Sequence, residues 1–169
     1  MKITLTTAAC LMLSLLPAQA DITARFIEGA PKDRFVISSA DGVCADAPIS
    51  VTIDLNGSAG KLIFDVTEAG AGVEVFQPFD LVAGGDRVTG ISDVADGDAQ
   101  VTLNLAGLAP AGEVAFTIDV DDTIGAREIT VADAEITGAT FRVSSGAQTG
   151  EARFEGDATA RVAWPGCTS

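Results

Sequence analysis

Apolar and polar residues alternate with a period of two along most of the chain. From Pro48 to Leu55, Ile49, Val51, Ile53 and Leu55 alternate with Ser50, Thr52 and Asp54, and the run closes on Asn56-Gly57. That period puts one set of side chains on a buried sheet face and the other in solvent, and Asn-Gly is a turn dipeptide. The pattern recurs in Val101, Leu103 and Leu105 against Thr102, Asn104 and Ala106. It returns in Val114, Phe116, Ile118 and Val120 against Ala115, Thr117, Asp119 and Asp121. Shorter runs predict strands at Ile22 to Ile27, Arg34 to Ser38, Lys61 to Val66, Val73 to Phe76, Phe79 to Val82, Arg87 to Ile91, Glu128 to Val131, Ala139 to Val143, and Glu151 to Trp164. The best helical window, Asp93 to Gln100, is short and is interrupted by Gly97. Turn residues separate the runs at intervals of roughly 8 to 15 residues, the spacing of a sandwich and not of βαβ units. Polar faces on so many strands favour antiparallel sheets with one side solvated. The expectation is an all-β, single-domain, two-sheet antiparallel β-sandwich of about nine to eleven strands.

The first twenty residues break this pattern. Lys2 precedes an apolar run through Leu11-Met12-Leu13-Ser14-Leu15-Leu16, then Pro17 and Ala18-Gln19-Ala20. A cation, a short apolar stretch and an A-x-A site predict a secretory signal peptide over residues 1–20, with the mature domain over 21–169. The stretch is shorter than the roughly 20 residues of a spanning helix, so no membrane insertion is expected after cleavage. The expected location is periplasmic or extracellular. Such compartments oxidise thiols, which makes a disulfide between Cys44 and Cys167 the default reading and two unpaired thiols the alternative.

Charge narrows the partners. The chain carries 24 Asp and Glu against 10 Lys and Arg, a net charge of −14, and it contains no His. Loss of Lys2 with the signal would deepen that charge. An acidic surface repels phosphate backbones, so nucleic acid is not an expected partner. Without His, the usual general base and the commonest ligand of zinc, copper or haem are missing.

Carboxylates are therefore the one source of metal ligands, and calcium, which takes six to eight oxygens, is the one metal they suit. The densest set is Asp119, Asp121 and Asp122, of which the first two share a face of a strand. A second set, Asp93, Asp96 and Asp98, surrounds Gly97. Neither has EF-hand spacing, and a solvated acidic surface is the plain alternative for both. The glycine clusters Gly57-Ser-Ala-Gly60, Gly70-Ala-Gly72 and Gly84-Gly85 read as turns, because strand-like and not helical sequence follows. A carboxylate-pair glycosidase would stack sugars on aromatics, whereas the chain has one Trp, eight Phe and no Tyr. No enzymatic activity is expected.

Several strings carry a family resemblance: Arg25 to Phe35 with its A-P-K-D-R-F, Ile53 to Gly60, Leu62 to Asp65, Gly70 to Phe79 with its G-A-G-V-E-V-F-Q-P-F, and Phe116 to Asp122. Together with Cys44 they resemble bacterial proteins similar to the sponge aggregation-factor core protein, over most of the mature chain. The resemblance implies an Ig-like sandwich from a cation-dependent cell-adhesion setting and offers no catalytic residues. The expected function is an exported module for cell-adhesion or matrix-type interaction, with calcium as its candidate ion and a surface protein, a glycan or a second copy as partner. The alternative is a periplasmic module that binds a small ligand or carbohydrate in an aromatic groove near Trp164 and Phe154. A closed sandwich with Trp164 in its core would count against that alternative.

Overall fold

The computed structural model describes residues 19–45, 47–68, 76–124 and 131–166. They form twelve strands: β1 Gln19–Ile27, β2 Asp33–Ser39, β3 Ile49–Asp54, β4 Ile63–Phe64, β5 Asp80–Ala83, β6 Val88–Ile91, β7 Gln100–Leu105, β8 Glu113–Ile118, β9 Val120–Asp121, β10 Thr140–Ser145, β11 Gln148–Arg153 and β12 Thr159–Pro165. One sheet runs β12-β1-β2-β8-β5, the other β11-β10-β3-β7-β6, and β4 pairs separately with β9. Every pairing is antiparallel. The architecture is the expected β-sandwich.

Alternation sets the faces. In β2, Phe35 and Ile37 point inward while Arg34, Val36 and Ser38 face out, and in β3 Ile49, Val51 and Ile53 are buried. Between the sheets Phe35 packs on Phe26 and Phe116 with ring centroids 5.2 Å apart in each pair. Phe79 stacks on Phe116 at 4.7 Å, and Phe154 meets Phe35 edge-on at 6.5 Å. Offset and edge-on rings at these separations add to the area they bury. The outer face of the second sheet is polar, with Thr52 and Thr102 hydroxyls 2.9 Å apart and Arg142 on Glu151 at 2.7 Å.

The chain changes sheets at both sides of the sandwich. On one side β5 leads to β6 through Gly84, whose φ of +68° and whose missing Cβ, which would lie 2.4 Å from the Glu113 carbonyl, make glycine necessary. On the other side β11 and β12 lie against each other.

Three elements differ from the expectation. The run Glu151 to Trp164 holds two strands, because a tight turn at 154–158 reverses the chain. The run ending at Asp121 is interrupted at Asp119, whose N–H donates to the Gln77 carbonyl and whose own carbonyl accepts from Asp65. Lys61 to Val66 contributes a strand of two residues only. Of the other expected strands, residues 73–75 and 128–130 lie outside the described residues, as do the signal segment through residue 18, the glycines at 70 and 72, and Cys167. No helix among the described residues is long and apolar enough to cross a membrane.

Candidate functional site

Five aspartates lose nearly all their contact with solvent: Asp33 retains 2 % exposure, Asp65 1 %, Asp119 5 %, Asp121 1 % and Asp122 7 %. Fully buried Asp is rare unless something compensates its charge. Asp33 opens β2 on the same inward face as Phe35 and Ile37, and it pairs in register with Ile118, the residue before Asp119. Asp65 follows β4, which pairs with β9 so that Ile63 opposes Asp121 and Phe64 opposes Val120. The Asp65 N–H donates to the Asp119 carbonyl at 3.2 Å, and the Asp65 carbonyl accepts from Gln77 at 3.2 Å. The fold thus draws the start of β2, the end of β4 and the β8–β9 junction to one place.

The charges there oppose one another. Burial first, and then the neighbouring charges of Asp119 and Asp121, push the Asp33 carboxyl up to about 8, against a hydrogen bond from the Gly29 N–H at 3.0 Å. Burial, followed by the charges of Asp121 and Asp65, pushes Asp119 up to about 7. The buried Asp119 Oδ2 and Asp122 Oδ1 accept no hydrogen bond. Such oxygens want a proton or a cation. Among the described residues, however, no three acidic or thiol side chains are gathered closely enough to hold a metal ion as they stand.

The first predicted set, Asp119, Asp121 and Asp122, is therefore buried as a block, and Asp33 and Asp65 join its neighbourhood. Asp33 was not among the expected ligands, because the expected strand began at Arg34; its parity with Phe35 and Ile37 is the signal that would have marked it as inward. Asp65 has no such signal, because it follows a two-residue strand. The second set behaves differently. Asp93 is exposed. Asp96 Oδ1 accepts from the N–H groups of Val66 and Thr67, both at 2.7 Å, and its Oδ2 accepts from the Thr67 hydroxyl, which holds that carboxyl below its ordinary range. Asp98 Oδ2 accepts from the Ala95 N–H at 2.8 Å. These oxygens bind a loop to the end of β4, and the structure does not bring the three acids together around a common point.

Trp164 and Phe154 do not face a groove. Trp164 is 3 % exposed and Phe154 1 %, both within the core, because Trp164 falls on the inward parity of β12 with Val162 and Phe154 turns in beneath Phe35. The hollows around Arg87 and Leu108, around Arg25 and Arg161, around Lys61 and Leu62, and around Phe79 and Ile91 are lined by other residues than the five buried aspartates. The chain matches no family model, no curated protein and no solved structure.

Proposed function

We propose that this protein is a non-enzymatic, exported β-sandwich module for cell-adhesion or matrix-type interaction, and that calcium binds at the acidic junction of β2, β4 and β9. The observation that carries the calcium reading is the pair of buried, unpartnered oxygens on Asp119 and Asp122 beside further buried aspartates. Since the carboxylates are not preassembled, the ion must draw them together, which places its affinity at the weak extracellular end, roughly 10⁻⁴ to 10⁻³ M. The burial of Trp164 removes the support for the aromatic-groove alternative.

Export and a Cys44–Cys167 disulfide belong to the same reading. Val43 bridges Gly166, the Cys44 N–H donates to the Pro165 carbonyl at 3.3 Å, and Cys44 does not carry a free thiol. Cleavage after Ala20 would remove two residues of β1 and keep its pairs with β12 from Asp21 to Arg25.

The test is thermal unfolding and titration calorimetry at pH 8 with calcium or chelator. At about 10 mM calcium and a dissociation constant near 1 mM, one site adds about 1.4 kcal/mol, and Asp119→Asn should abolish the gain. Sedimentation velocity in the same buffers reads calcium-linked association. Absence of both binding heat and a melting shift would overturn the calcium reading.

A further inference from the structure

The chain's scarce cations are not spread evenly. On the outer face of the β12-β1-β2-β8-β5 sheet stand Arg25, Arg34 and Arg161, with Lys32 at its margin, in a protein whose acids outnumber its bases 24 to 10. The register makes a grid of that face. Arg161, Thr23, Ser38 and Glu113 form one row across four strands, and Thr159, Arg25, Val36 and Ala115 form the next. Arg25 and Arg161 are diagonal neighbours, about 7 to 8 Å apart between backbones.

Two of the three guanidinium groups have carboxylates: Arg161 lies 2.8 Å from Asp157, and Arg34 lies 3.6 Å from Glu113. Arg25 makes no ion pair or hydrogen bond with a described residue, although it sits between them. The face forms a shallow, open hollow of about 580 Å³ lined by Thr23, Arg25, Ser38, Glu113, Asp157 and Arg161 among others.

We propose that this hollow binds a carboxylated sugar, such as a uronic-acid unit of a surface glycan, with Arg25 as the residue that takes the ligand's carboxylate. A free guanidinium presents a planar fork that matches a carboxylate in bidentate fashion. The paired Thr23 and Ser38 hydroxyls, 2.8 Å apart, and the rim carboxylates of Glu113 and Asp157 suit the sugar's hydroxyl groups. Val36 offers a small apolar floor for a ring face. The protein's overall negative charge does not forbid an anion here, because fields from distant acids are screened beyond about 8 Å at physiological salt, and the two acids that line the hollow, Glu113 and Asp157, are paired with Arg34 and Arg161. The inference rests on the interaction-module reading and names its partner's chemistry. It does not use the metal site, so the two can fail separately.

The experiment is calorimetric titration of trigalacturonate into the full chain in chelator-containing buffer, with maltotriose and citrate as the neutral-sugar and sugar-free arms. Arg25→Gln is compared with Arg142→Gln, which makes the same change of charge on the other sheet. Trigalacturonate should bind, at least tenfold more tightly than either control ligand. Arg25→Gln should weaken it at least tenfold, and Arg142→Gln should leave it within twofold. No binding at millimolar trigalacturonate, equal loss in both variants, or an unaffected Arg25→Gln would overturn the proposal. Citrate binding equally well would overturn it in favour of a simple anion site, and maltotriose binding equally well in favour of a neutral-sugar site.

Discussion

Asp33 and Asp119 are the residues whose chemistry departs furthest from the ordinary. In the folded chain they hold protons up to about 8 and about 7, whereas an exposed Asp releases its proton near 3.8. A group that binds its proton more tightly when folded stabilises the fold at low pH, and here that contribution is fully present below about pH 4 and gone above about pH 8. A tenfold gain in proton affinity on folding corresponds to about 1.4 kcal/mol, so two coupled groups should make the drop on the order of several kcal/mol. Urea unfolding with chelator present should accordingly show a less stable protein at pH 8.5 than at pH 5, and equal stability at both would contradict the assignment. Asp33→Asn keeps an acceptor for the Gly29 N–H and should flatten the profile while raising stability at pH 8.5. Asp96 and Asp157, held below the ordinary range by the Thr67 hydroxyl and by Arg161, titrate below this window and do not blur it.

At the level of elements, the two sides of the sandwich are closed by backbone proximity as much as by side chains. Gly150 in β11 is as tight as Gly84: a Cβ there would lie 2.4 Å from Val162 Cγ1 and 3.8 Å from Trp164 Cε3. Gly150→Ala must push β11 away from β12, and overpacking of this kind typically costs about 1 to 3 kcal/mol. Denaturant unfolding measures the loss, and an unchanged midpoint would show that β11 can shift freely. The strands themselves were largely legible because their alternation is dictated by the need to bury one face. Turns inside apparent runs were less so. The reversal at 154–158 carries a Gly156-Asp157 signal, yet its flanks continue the strand-like pattern. The break at Asp119 has no local signal at all, since its backbone is captured by Asp65 and Gln77 from a remote part of the chain.

For the molecule as a whole, the first and last described stretches of the chain meet. Gln19 and Ala20 pair with Pro165 and Trp164 on β12, and Val43 reaches Gly166. A disulfide from Cys44 to Cys167 would lock this closure and constrain the unfolded chain over most of its length, an effect of roughly 2 to 5 kcal/mol. Cys44→Ser should lose about that much, and the native protein should lose the same on reduction while the variant becomes indifferent to reductant. A native protein that unfolds identically with and without reductant would remove the bond from the account. The acidic surface acts on this scale too, since it opposes close approach of copies except where calcium intervenes.

Local period and composition suffice for the β class, the two-faced strands, the inward Phe residues, and the narrowing of metal chemistry to carboxylates in a chain without His. Their reach ends where residues distant along the chain become neighbours. It took the folded chain to show that Asp33 and Asp65 stand with Asp119 and Asp121, that Asp96 serves a loop, that Trp164 lies in the core, and that Arg25 stands among other arginines. The cause is common to all four. A residue's burial and its electrostatic company are set by strand order and register between segments, and neither is written in the residues beside it.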